Sequence, residues 1–287
     1  MPDPCIESEP LATDAPVAGR IRLGAGETFY RIDGPEAGTP LLLIHGATVP
    51  HWSFDGLVPF LTEAGYRTFR YDLYGHGESD RPPGRYDHRR FVRQALEFIE
   101  AMGIERAGTR VWGYSMGAAV AASVVVELPG SPAPLILLAP LLDFSGDNPY
   151  RSVLRTPVAG ELAMTLFGRR ALIRRRQSRY AAIGRPDLVD RFLEQLQRPG
   201  YWRALLSMQR HDALSDQRSV YKRAARAGFS PIIIHGSADA ITPPAAVDEV
   251  ASIFSGAQRI ELDGLEHNLM LTHPGRVARA VRQARRD

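Results

Sequence analysis

Short apolar runs recur along this chain in a form that suits strands covered on both faces. PLLLIHG (40–46), TRVWGYS (109–115), APLILLAP (133–140) and SPIIIHG (230–236) contain continuous stretches such as LLLI, LILL and III, without the alternation of a strand that has one wet face. A parallel sheet sandwiched by helices makes that demand. FYRID (29–33), YRTFRYDL (66–73) and AQRIELDG (257–264) extend the set. Helix-compatible stretches fill the intervals. HRRFVRQALEFIEAMG places Phe91, Ala95, Phe98 and Ile99 on one face, MGAAVAASVVVEL follows residue 115, and PAAVDEVASIF and PGRVARAVRQA each begin with a helix-starting proline. The alternation predicts an α/β protein, with a mostly parallel sheet sandwiched by helices.

One interval breaks the rhythm. From Leu141 to about Gly228 no strong strand pattern appears. LVDRFLEQLQ instead spaces Val189, Phe192, Leu193 and Leu196 helically, and YWRALLSMQ repeats the pattern with Trp202, Leu205 and Leu206. A structureless loop of that length is uncommon inside a compact domain. Residues 141–228 are therefore expected to form an inserted helical lid, or cap, dividing a core made of residues 20–140 and 229–287. Residues 1–19 carry Asp3, Glu7, Glu9 and Asp14 and no lysine or arginine, the reverse of a secretory leader. They are expected to form a flexible arm, and the protein to be cytoplasmic. No stretch reaches the roughly eighteen continuous apolar residues of a membrane span. Cys5 is the only cysteine, which excludes an internal disulfide and a cysteine-based metal site. The formal charge of +3 is small and carried by arginine, with Lys222 the single lysine, and it predicts no nucleic-acid partner.

VWGYSMGAAVAA (111–122) carries the chemistry. It sets Gly-x-Ser-x-Gly between a predicted strand and a predicted helix, the context in which glycines let the chain turn sharply and lift Ser115 above the sheet. A serine hydroxyl is almost inert at its own pKa, so it needs a histidine base and a carboxylate to hold that base. Asp239, in HGSADAITP, directly follows one predicted strand, and His267, in DGLEHNLM, directly follows the next. Both stand where the topology would bring them beside the serine. Asp143, after the strand APLILLAP, is a rival for the acid. The rival histidines are His45, His51, His76, His88, His211, His235 and His273. His45 and His235 end strands ahead of glycines and read as structural, His273 precedes Pro274 at a helix start, and His211 lies in the lid. Acyl transfer also needs donors aimed at the developing oxyanion. Met116 N–H follows the serine directly, and Ala47 in HGATVPHW is expected to supply the second, with Thr48 behind it.

With HGA (45–47), DLYGHGESDRP (72–82), GYSMG (113–117), HGSADAITP (235–243) and EHN (266–268), the chain resembles the α/β-hydrolase family from about Arg20 to its end. Within that family it looks most like the branch of monoacylglycerol lipases and carboxylesterases. The resemblance implies an eight-stranded, mostly parallel sheet, a cap between the sixth and seventh strands, and neither cofactor nor metal. One departure is Leu265-Glu266 ahead of His267, where many relatives have glycine. Relatives that dehalogenate haloalkanes or open epoxides carry aspartate at the elbow, so Ser115 disfavours both activities. The expected reaction is hydrolysis of a carboxylic ester or thioester of a small or acyl-chain substrate through an acyl-enzyme on Ser115. Four alternatives keep the same residues: a biosynthetic thioesterase, a carbon–carbon bond hydrolase, a perhydrolase and a non-catalytic ligand receptor. In the lid, Arg169, Arg170, Arg174, Arg175, Arg176 and Arg179 suggest attraction to an anionic partner but read first as a solvated face. Phe167, Phe192, Trp202 and Leu206 are expected to serve the lid's own core.

Overall fold

The continuous apolar runs become strands with no wet face. Eight strands form one sheet in this computed structural model, which describes residues 15–128, 130, 135–144, 149–182 and 185–284. They are β1 (Val17–Arg22), β2 (Glu27–Asp33), β3 (Thr39–Ile44), β4 (Tyr66–Tyr71), β5 (Arg110–Tyr114), β6 (Ile136–Leu138), β7 (Ile232–Gly236) and β8 (Gln258–Leu262). Across the sheet the order is β1-β2-β4-β3-β5-β6-β7-β8, antiparallel at the first two pairings and parallel at the other five.

Helices cover both faces, as the unbroken apolar runs require. Before β6 come α1 (Val58–Glu63), α2 (His88–Ala101) and α3 (Met116–Glu127). Successive residues of β3 point to opposite sides: Leu42 and Ile44 join a core with Phe91 and Phe98 of α2 and the small residues of α3. Leu41 and Leu43 join another with Leu61 of α1 and with Val277 and Val281 near the C-terminus. Strand β1 was not legible in sequence. It takes in Val17 to Gly19, which were expected in the flexible arm; residues 1–14 of that arm lie outside the described residues. None of its residues is buried, because it is an edge strand that pairs only with β2, so it carries no apolar signal.

Between β6 and β7 the described residues form helices and no strand: α4 (Pro149–Arg155), α5 (Ala159–Ala163), a π-helical turn at Met164–Gly168, α6 (Arg169–Ala182), α7 (Asp187–Gln197), α8 (Tyr201–Arg210) and α9 (Arg218–Arg226). The inserted helices dock on the loop after β4. Gly77 N donates to Gln195 Oε1 at 2.9 Å and Tyr86 N to Ser207 Oγ at 3.0 Å. Phe192 and Leu206 are buried as expected of core residues, whereas Phe167 is 67% exposed. Three more helices close the chain: α10 (Pro244–Ser252), α11 (Leu269–Thr272) and α12 (Pro274–Ala284).

Candidate active site

Ser115 sits at the junction of β5 and α3 with φ 54° and ψ −118°, a conformation that costs a non-glycine residue on the order of 1–3 kcal/mol. The surrounding backbone holds it there. Its N–H donates to Leu138 O at 2.9 Å, and its carbonyl accepts from Ala118 N at 3.0 Å and Leu141 N at 3.2 Å. The flanking glycines are required by space. A Cβ at Gly113 would lie 2.2 Å from Gly117 O, and one at Gly117 would lie 2.3 Å from Ile44 O. Only bare backbone lets α3 start this close to β3.

Asp239 and His267 come from the loops after β7 and β8. His267 Nε2 is 3.1 Å from Ser115 Oγ, and His267 Nδ1 is 2.8 Å from Asp239 Oδ2. The carboxylate can only accept, so Nδ1–H donates to it and Nε2 is left to accept from the serine hydroxyl. Asp239 is itself fixed: Oδ1 accepts from Ile241 N at 2.8 Å and Thr242 N at 3.0 Å, and Oδ2 accepts from Thr242 Oγ1 at 2.7 Å. Burial would push its pKa up. The hydrogen bond and charge of His267, together with the Thr242 donors, outweigh that and hold it below the ordinary carboxylate range. The rival Asp143 is exposed, and the imidazole turns to Asp239 instead. Among the described residues, His267 alone bonds a carboxylate through one ring nitrogen and a serine hydroxyl through the other. His51 pairs with Asp72 at 2.7 Å but meets no serine, and His88 meets Ser123 at 2.8 Å through a ring without a carboxylate. His45 is spent inside the fold, accepting from Leu73 N at 2.9 Å.

The two residues expected to supply oxyanion donors flank the hydroxyl. Met116 opens α3 directly after Ser115, where a helix-terminal N–H has no intrahelical partner. Ala47 follows Gly46, which packs so closely that a Cβ there would lie 3.2 Å from Ser115 Cβ. His76 Nε2 donates to Ala47 O at 2.9 Å and helps to fix that loop. Such a constellation can activate a hydroxyl, hold the resulting imidazolium and receive negative charge on a substrate oxygen.

The sequence profile of the α/β-hydrolase family matches residues 41–280. The chain belongs to that family. Proteins similar to it carry names that differ in activity. A non-heme chloroperoxidase from Streptomyces lividans is 25% identical over 258 residues, covering 86% of this chain and 91% of its own. An enol-lactonase from Burkholderia xenovorans has a TM-score of 0.72 at 19% identity, over 94% of this chain and 100% of that one. A 2-hydroxy-6-oxo-6-phenylhexa-2,4-dienoate hydrolase from Rhodococcus reaches a TM-score of 0.76 at 19% identity, over 95% and 99%. At these identities the two structures share the fold.

In this α/β hydrolase a pocket of about 150 Å³ opens at Ser115 and His267. Its apolar wall is Leu141, Phe144, Leu214 and Ile241 with Leu172 of α6 and Leu205 of α8. Phe167, Phe192, Trp202 and Leu206 do not line it. Four residues at the site were given no role from sequence, although three of them lie inside the quoted stretches: Thr242, which braces Asp239; Asn268 and Tyr114, joined at 3.0 Å beside His267; and Gln209, at the pocket wall. Arg176, read as one of a solvated row, also lines the pocket. The side chains of Arg175 and Arg179 lie outside the described residues. Among the described residues no cluster of three or more His, Cys, Asp or Glu is placed to hold a metal, and no helix is long and apolar enough to cross a membrane.

Proposed function

We propose that this α/β hydrolase cleaves a carboxylic ester through an acyl-enzyme on Ser115. The observation that carries the reading is the continuous hydrogen-bonded line from Ser115 Oγ through His267 to Asp239. His267 Nε2 takes the hydroxyl proton as Oγ attacks the substrate carbonyl, and Asp239 holds the ring in the required tautomer and stabilises its charge. The oxyanion that forms is met by the N–H groups of Ala47 and Met116. Collapse expels the alcohol, which leaves with the proton held on Nε2. Water then gives a proton to the same nitrogen, attacks the acyl carbonyl and releases the acid and the free serine.

The pocket supports a small substrate. Its volume of about 150 Å³ compares with an apolar cavity that accepts a benzene molecule, and lies below the roughly 300–1,000 Å³ of sites for larger ligands. This favours the carboxylesterase end of the family over a lipase that must hold a long acyl chain. The test is turnover of 4-nitrophenyl acetate and butyrate together with labelling by a fluorophosphonate. Wild-type protein should hydrolyse both esters and become labelled on Ser115. Ser115→Ala should lose labelling and at least about a thousandfold in kcat. A wild-type protein that neither labels nor turns over any acyl substrate would instead be a receptor, and residual activity in S115A would name another nucleophile.

A further inference from the structure

Among the described residues, Arg176 is the one arginine of the inserted helices that lines the pocket. Arg185, Arg191 and Arg210 are each paired with a carboxylate, of Asp187, Asp55 and Glu161, at 2.7, 2.8 and 2.6 Å. Arg176 has no ion pair with any described residue. Its guanidinium bonds two neutral oxygens, Thr48 Oγ1 at 2.8 Å through Nη2 and Asn268 Oδ1 at 3.2 Å through Nη1. Those residues directly follow Ala47 and His267, so the cation bridges the two sides of the site around Ser115. It is also held in place: its guanidinium lies 5.3 Å from the ring centre of Phe192 and 6.0 Å from that of Tyr180.

A guanidinium has five N–H donors and no acceptor, and two neutral oxygens leave its charge uncompensated in a pocket that is mostly apolar and, among the described residues, lined by no carboxylate. The same corner holds another unspent donor, since the Nδ2 of the buried Asn268 has no hydrogen-bond partner. Unused donors and an unpaired cation beside the reacting serine call for an anionic acceptor. We propose that Arg176 makes this site selective for esters that carry a carboxylate within a few bonds of the scissile carbonyl, an inference that rests on the esterase reading above. A planar carboxylate matches the guanidinium fork, and charge-assisted bonds of this kind are about twice as strong as neutral ones.

Binding to Ser115→Ala protein tests this without relying on turnover. The probes are monomethyl succinate, charged on its acyl side, and acetoxyacetate, charged on its alcohol side, each compared by titration calorimetry with its uncharged methyl ester. At least one anion should bind ten or more times more tightly than its neutral counterpart, and Arg176→Gln in the same background should bring that ratio close to one. Equal affinity for anion and neutral ester overturns the inference, as does a preference that survives R176Q. A variant that weakens both ligands equally makes Arg176 a latch on Thr48 and Asn268, and also overturns it. Because no reaction is needed, an anion preference can stand in a protein that hydrolyses nothing, and esterase activity can stand without the preference.

Discussion

His45 shows how much of a site residue's behaviour is set by its surroundings. It is fully buried, with Nδ1–H donating to Gly46 O at 2.7 Å and Nε2 accepting from Leu73 N, so both ring nitrogens are satisfied only in the neutral form. Burial, with His76 nearby, pushes its pKa down to about 3. An unfolded histidine takes its proton near pH 6.5. Between those values the unfolded chain binds the extra proton, so stability is full above about pH 6.5 and falls below it by up to about 1.4 kcal/mol per pH unit from this one group. Urea midpoints should therefore be level from pH 8 to 7 and decline from 6.5 to 5, and His45→Gln should show a shallower decline whatever its absolute stability. An unchanged slope would remove His45 as the source. Its structural role was readable from its place ahead of a glycine at a strand end, and so were the positions of Ser115, Asp239 and His267 after β5, β7 and β8. Arg176 was not, because six arginines share residues 169–179 and only the packing of α6 brings this one to the pocket.

At the scale of elements, the βα alternation was legible wherever burial on both faces writes a continuous apolar run, and illegible at β1, an edge with no buried residue. The apolar run 133–140 narrowed to Ile136–Leu138, with residues 131–134 outside those described. The joint between β5 and α3 was the most legible, since glycine is demanded there by contact as well as by turn geometry. A Cβ at Gly117 would lie 2.3 Å from Ile44 O and 2.5 Å from His45 O, both backbone atoms that cannot step aside without moving β3. Gly117→Ala should therefore destabilise the protein by about 3 kcal/mol or more, against the roughly 0.4–1 kcal/mol that a helix-favouring alanine would otherwise gain. The denaturant midpoint measures this. A stable G117A protein would mean that α3 does not approach β3 so closely.

For the molecule as a whole, the pocket belongs to neither layer alone. The core supplies Ser115, His267 and Ile241, and the inserted helices supply Leu172 and Leu205, so substrate size is fixed by how the insertion sits on the sheet. That relation was hidden in the sequence, because helical periodicity shows that a face is buried but not what it is buried against. The expected apolar residues of the insertion went mainly to its own packing, while Leu172 and Leu205 reached the site. A cavity near 150 Å³ accommodates about six carbon atoms. In a series of straight-chain 4-nitrophenyl esters, kcat/KM should therefore peak at or below about six acyl carbons, each methylene beyond the available space costing roughly 1 kcal/mol or more. Leu205→Ala removes three carbons from the wall contributed by α8. It should move the optimum up by about two or three carbons and lower stability by about 2–4 kcal/mol, because a nearly buried leucine leaves a void. Loss of stability with an unmoved optimum would place the acyl group elsewhere, along a path that the insertion does not wall.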